Sequence, residues 1–237
     1  DVGADAPNPT VISPGSGAAE AYHFAVSSLG FALDRIGGTT VVVTSATPGD
    51  GKSVTALNIA IAAAQDGRRP LLIDGDERAR GLTRLAGFMG TIGLTDLGNG
   101  TPAGSIVSDW KMGPDVSLPF VAAGNKLNGS TAGYFRSAAF REALPVLGQN
   151  SNLVVIESPP VMSAAETADL ASQADGVVLV VRNGTLVRFL EDARQRLAMS
   201  GTPILGYIFN RASSWSDGYG YGYGYGYGYG KDADDPQ

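Results

Sequence analysis

A doubly wound α/β domain, with a mostly parallel sheet and helices on both faces, is the fold class this sequence predicts. Three observations predict it. Five short, near-continuous apolar runs rich in β-branched residues recur along the 237 residues, the pattern of strands buried on both faces. Helical stretches separate them, so the strands connect by crossovers and run parallel. A glycine-rich turn joins the first run to a long helix, at the carboxyl end of a strand, where such sheets hold their ligand.

The elements follow in order. Residues 1–18, DVGADAPNPTVISPGSGA, are rich in Pro, Gly, Asp and Ser and read as a flexible lead-in or linker. The folded domain spans 19–212 and a flexible tail spans 213–237. A short helix is expected over Ala19–Leu33. TTVVVTS (Thr39–Ser45) is the first strand, and KSVTALNIAIAAAQDG (Lys52–Gly67) is a helix apolar almost all round, hence buried. RPLLIDGD (Arg69–Asp76), NLVVIESPP (Asn152–Pro160), DGVVLVVRNG (Asp175–Gly184) and TPILGYIFNR (Thr202–Arg211) are the other strands. Helices are expected over Thr131–Leu147, Ala164–Gln173 and Thr185–Met199. Arg80–Lys126 is less regular and is read as a lid or interaction surface. Apart from the tail there is no internal repeat.

Composition narrows the function. The chain is 43% hydrophobic and 17% charged, with net charge −6 and pI near 4.7. An acidic surface argues against nucleic acid as a partner, since phosphate backbones need a basic one. With no cysteine there are no disulfides and no thiolate metal site, as befits a reducing compartment. His23 is the one histidine, which excludes multi-histidine metal centres. No run of eighteen apolar residues is present to span a bilayer, and no signal peptide is visible. The chain opens without methionine and reads as a piece of a longer protein whose membrane part is absent.

The sharpest motif is ATPGDGKS (Ala46–Ser53), between a predicted strand and a predicted helix. It fits the Walker A pattern G-x-x-x-x-G-K-[ST] with Ala46 at the first glycine, which makes the fold P-loop NTPase-like. Gly49 and Gly51 allow the loop to turn its backbone N–H groups around a polyphosphate, and the helix starting at Lys52 adds its positive end. Lys52 is placed to reach the β- and γ-phosphates and Ser53 to offer its hydroxyl to Mg²⁺. Thr47, Pro48, Gly49, Asp50, Gly51, Lys52, Ser53 and Val54 are therefore the ATP-binding candidates. The bland alternative is an incidental glycine-rich turn, against which the strand–loop–helix context counts. A Rossmann fingerprint is excluded, because GDGKSV (Gly49–Val54) lacks the third glycine.

Mg²⁺ needs hard oxygen ligands, and two apolar strands end in acids. LLIDGDER puts Asp74 and Asp76 two apart, on one face of an extended segment, one towards metal and one towards an incoming hydroxyl. VVIESPP puts Glu157 where a Walker B strand usually presents Asp. The bland alternative for each is a solvated acid at a strand end.

Jointly, these motifs resemble the cytoplasmic P-loop domain of the bacterial tyrosine kinases, partners of capsule and exopolysaccharide chain-length regulators. The family's apolar triplet followed by D-x-D-x-R is matched by LLIDGDER, Arg78 included. Its D-x-P-P Walker B is matched by VVIESPP except at Glu157. The likeness runs from about Glu20 to Arg211 and includes GLTDL (Gly93–Leu97), ADGVVLVVR (Ala174–Arg182) and GYIFNR (Gly206–Arg211). In related P-loop proteins the asparagine of the last stretch, here Asn210, lies by the adenine. The resemblance implies an ATP- and Mg²⁺-dependent tyrosine autokinase at the inner face of the bacterial plasma membrane. Lys52 would neutralise the transferred phosphoryl group; Ser53, Asp76 and Glu157 would hold Mg²⁺; Asp74 would orient or deprotonate the tyrosine hydroxyl. It also implies partners: a membrane polysaccharide copolymerase or the chain's own absent transmembrane region, a cognate tyrosine phosphatase, and further copies in a ring. Glu157 and Glu166 replace aspartates. The family's E-x-x-R-x-x-R ring element appears as EAYHFAV (Glu20–Val26), with His23 and Val26 where arginines belong, which puts the ring in question. Two alternatives stay open: an ATP-binding regulator of weak or no catalysis, and a Min/Par-like ATPase, whose signature lysine is replaced by Thr47.

The tail, SDGYGYGYGYGYGYGKDADDPQ, sets Tyr219, Tyr221, Tyr223, Tyr225, Tyr227 and Tyr229 at alternate positions between glycines. An edge strand is disfavoured by that glycine content. A low-complexity segment without enzymatic role is one reading. A substrate is another: an exposed extended peptide can enter an active site in any register. Extended, it spans on the order of 30–60 Å, enough to reach a neighbouring subunit's site. The family resemblance favours transfer in trans to these phosphoacceptors.

Overall fold

The computed structural model describes residues 14–112, 116–125 and 133–212. The tail tyrosines and most of the lead-in lie outside the described residues.

The described residues form a seven-stranded sheet in the order β3-β4-β2-β5-β1-β6-β7. Its strands are β1 (Thr40–Ser45), β2 (Pro70–Asp74), β3 (Val107–Lys111), β4 (Ser117–Val121), β5 (Leu153–Glu157), β6 (Gly176–Arg182) and β7 (Ile204–Asn210). All neighbouring pairs are parallel except β3 with β4. The five strands read from sequence are present, in a mostly parallel doubly wound sheet. The hairpin β3–β4 corrects the reading of 80–126 as irregular, since it adds two strands beside β2.

Alternation along each strand splits the core between the two faces. Val41, Val43, Leu72, Val155, Val178 and Val180 pack towards α1 (Gly17–Asp34) and α2 (Lys52–Gln65). Val42, Leu71, Ile73, Val154, Ile156, Val177 and Leu179 pack towards α4 (Ala138–Gly148), α5 (Glu166–Ala171) and α6 (Val187–Ala198). The short α3 (Gly81–Leu85) follows β2. As expected from its composition, α2 is buried nearly all round.

Ser16 caps α1 by accepting from the Ala19 amide at 3.2 Å, so this helix begins two residues earlier than the sequence indicates. Ser137 likewise caps α4, accepting from the Phe140 amide at 3.3 Å. That cap starts α4 seven residues later than expected from Thr131, behind a 3₁₀ turn at Tyr134–Arg136. No helix among the described residues is long and apolar enough to cross a membrane.

Candidate active site

β1, β2 and β5 lie side by side in the sheet, so their carboxyl ends deliver the three sequence motifs to one place. Asp74 and Glu157 are register partners across β2 and β5.

The loop after β1 is held by its own side chains. The Asp50 carboxylate accepts from the Thr47 amide at 3.0 Å, and the Thr47 hydroxyl donates to it at 3.0 Å. The Ser45 hydroxyl donates to the Thr47 carbonyl at 2.8 Å. Pro48 and Gly49 form the exposed tip. Gly51 caps α2 with φ +97°, and a Cβ there would stand 1.9 Å from Asn210 Nδ2. Only glycine meets both demands. Asn210 donates to the Asp50 carbonyl at 2.9 Å, which ties the end of β7 to the loop.

Lys52 and Ser53 open α2, with Val54 half-buried behind them. Lys52 Nζ donates to Asp76 Oδ2 at 2.9 Å and to Glu157 Oε1. The Ser53 hydroxyl donates to the same Glu157 oxygen at 2.9 Å. Asp76 Oδ1 accepts from the Ala79 amide at 2.9 Å. Asp74 is fully buried, and both its oxygens are engaged. Oδ1 accepts from the Asp76 amide at 3.1 Å. Oδ2 accepts from the Thr83 amide and hydroxyl, both at 2.7 Å. Arg78 reaches the other way, donating to Glu166 Oε1 from Nε at 2.6 Å and approaching it from Nη2 at 2.5 Å.

Electrostatics follow from burial. Loss of solvent pushes the Glu157 carboxyl well above the usual carboxylate range; the Asp74 and Asp76 charges add to this and Lys52 opposes it. Burial also raises Asp74, against the pull of its bonds from Thr83. Burial works to lower the Lys52 pKa, but the charges of Glu157 and Asp76 prevail and hold it above the ordinary lysine value. A protonated Glu157 offers Lys52 no charge, so these directions compete. Three carboxylates against one ammonium cannot all stay ionised in so dry a place. We place the retained proton on Glu157, which is fully buried.

The site fits nucleotide with Mg²⁺. Glu157 Oε2 is buried and has no hydrogen-bond partner; once the carboxyl gives up its proton, it is an open oxygen beside the Ser53 hydroxyl. Among the described residues no group of three or more His, Cys, Asp and Glu is arranged to hold a metal. Mg²⁺ itself takes one or two carboxylates and completes its shell with phosphates and water.

The structure thus brings Thr47, Pro48, Gly49, Asp50, Gly51, Lys52, Ser53, Val54, Asp74, Asp76, Glu157 and Asn210 to one end of the sheet. In α1, His23 Nδ1 lies 2.8 Å from Asp66 Oδ1 of the same chain, and Val26 is buried in the core. Two neighbours of the site had no sequence signal. Thr83 belongs to no motif, and Arg80 is distinguished by a left-handed backbone that its sequence does not announce.

Comparison with known proteins agrees with this fold. Residues 41–218 match the family described as the CobQ/CobB/MinD/ParA nucleotide binding domain. The chain is 30% identical over 176 residues to the tyrosine-protein kinase CpsD of Streptococcus agalactiae, covering 73% of this chain and 75% of that one. The BceF tyrosine kinase domain superposes with a TM-score of 0.73 at 28% identity, covering 85% of this chain and 80% of that one. The kinase domain of the Escherichia coli tyrosine kinase ETK shares the fold, with a TM-score of 0.81 at 24% identity over 93% of this chain and 86% of that one.

Proposed function

The chain belongs to the bacterial tyrosine kinases, within the CobQ/CobB/MinD/ParA nucleotide-binding family, and we propose that it uses ATP to phosphorylate its own C-terminal tyrosine cluster. The observation that carries this reading is the contact set of Lys52, Ser53, Asp76 and Glu157 at the mouth of a P-loop. The acceptors are Tyr219, Tyr221, Tyr223, Tyr225, Tyr227 and Tyr229, presented in trans to a second subunit.

Phosphoryl transfer demands positioning and charge neutralisation more than covalent chemistry. The amides of the Thr47–Val54 loop and the Lys52 ammonium bind the phosphates, and Asn210 lies by the adenine. Ser53, Asp76 and Glu157 would hold Mg²⁺, which when bound neutralises charge developing between the β- and γ-phosphates. Asp74 orients or deprotonates the incoming tyrosine hydroxyl. Its raised pKa suits a base, and the role requires one of its bonds to Thr83 or Asp76 to open. The setting we propose is the inner face of the bacterial plasma membrane. There the domain would act with a polysaccharide copolymerase, or its own membrane region, in capsule or exopolysaccharide export, and a tyrosine phosphatase would reverse the modification.

One observation favours the regulator reading. Glu157 Oε1 engages both Lys52 and Ser53, the two groups the phosphates need. Mass spectrometry after incubation with Mg·ATP separates the two readings. Trypsin cuts after Arg211 and Lys231, so Ala212–Lys231 carries all six tail tyrosines. Phosphates on that peptide, absent with Lys52→Met, are expected. An unmodified peptide from protein that binds ATP would instead support the regulator.

A further inference from the structure

Arg80 ends the turn that runs from Asp76 to α3, and it is unusual in three ways. Its backbone is left-handed, with φ +50° and ψ +46°, a region that a side chain with a Cβ rarely occupies. It is buried, with 8% of its surface exposed. Its guanidinium is only partly satisfied: Nε donates to the Glu77 carbonyl at 3.0 Å, while the buried Nη2 has no partner. Backbone strain and an unsatisfied buried donor are each costly, and together they mark positions retained for a ligand.

The location says which ligand. The amide of Arg80 donates to the Asp76 carbonyl at 2.7 Å. The next residue, Gly81, lies so close to the Walker serine that a Cβ on it would stand 2.9 Å from Ser53 Oγ. The backbone at Arg80 and Gly81 is therefore held beside Asp76 and Ser53, the residues placed at the outer phosphates and Mg²⁺ of a P-loop nucleotide. A guanidinium donor is well matched to a phosphate oxygen.

We infer that Arg80 is a second cationic phosphate ligand, whose free Nη2 contacts the terminal phosphate of the bound nucleotide. This rests on the ATP-site reading above and deepens it. The loop amides then hold the phosphates that ATP and ADP share, Lys52 reaches the β- and γ-phosphates, and Arg80 adds a contact that only ATP can make.

The test is isothermal titration of the full chain with Mg·ATP and, separately, Mg·ADP. Arg80→Gly removes the guanidinium and suits the left-handed backbone. Arg80→Asn, which also tolerates that backbone, serves if the glycine variant fails to fold by circular dichroism. The expected result is a loss of about ten- to a hundredfold in ATP affinity with ADP affinity unchanged. ATP affinity equal to wild type, or an equal loss for both nucleotides, overturns the assignment. Wild-type protein that binds neither nucleotide overturns the ATP-site reading itself, a failure distinct from the other two.

Discussion

Lys52 stands among more acid than it can neutralise. Asp74, Asp76 and Glu157 are each at most 1% exposed, and burial raises Glu157 most clearly. A proton kept on Glu157 at neutral pH must leave when the carboxylate takes up a metal, because metal ligands bind deprotonated. Mg·ATP binding should therefore release up to about one proton. Titration calorimetry in two buffers of different ionisation enthalpy measures this, and Glu157→Gln should abolish it. The sign for stability is opposite. An acid with a raised folded pKa binds more protons folded than unfolded, so its contribution is lost as pH rises above its unfolded value of 4.5. Without nucleotide, the wild type should lose stability from about pH 4.5 upward more steeply than Glu157→Gln. Parallel pH profiles of the urea midpoint would remove Glu157 as the titrating group.

Between β2 and α3, one threonine fastens three elements. Thr83 donates to Asp74 at the end of β2, and its hydroxyl accepts from the Ala123 amide at 2.8 Å, just past β4. Thr83→Val keeps the shape but leaves a buried amide and a buried carboxylate short of a partner. The cost should be about 1–3 kcal/mol, read as a drop in the urea midpoint. Serine in its place should recover most of it. Nothing in the sequence marked Thr83, because its function depends on β4, which was itself not foreseen. β4 is five residues long and contains Pro119, which normally argues against a strand. The structure accommodates it because pairing with β2 involves only Phe120 and Val121. β3 exposes most of its length, so it lacks the continuous apolar run that betrays the other strands. The P-loop, the two acidic strand ends, the buried strands β1, β2, β5 and β6 and the apolar edge strand β7, which the structure leaves part-exposed rather than buried, were legible because their chemistry is local in sequence. Pairing across 80–126 and the backbone of Arg80 are tertiary outcomes.

At the scale of the whole molecule, charge and the first helix bear on assembly. Val26 is buried in this chain's own core, and His23 is paired with Asp66 of the same chain, so both are engaged within the subunit. Around them α1 exposes Phe24 and Phe31, at 76% and 72%, together with the acids Glu20 and Asp34, so a contact between copies through this helix would bring apolar rings and like charges together. Such a contact is sensitive to long-range repulsion. The chain already carries −6, and six tail phosphates would add about −9 to −12. Subunits close enough to exchange tails in trans would then repel one another, the more so at low salt. Phosphorylation should shift the protein towards smaller species, an effect reduced at about 0.5 M salt, where screening shortens the reach of the charge. Light scattering on ATP-treated and phosphatase-treated protein measures this directly. The same mass before and after would mean that the tail signals to a partner rather than to its own assembly. A shift that salt leaves untouched would point to direct occupation of the contact surface by the tail.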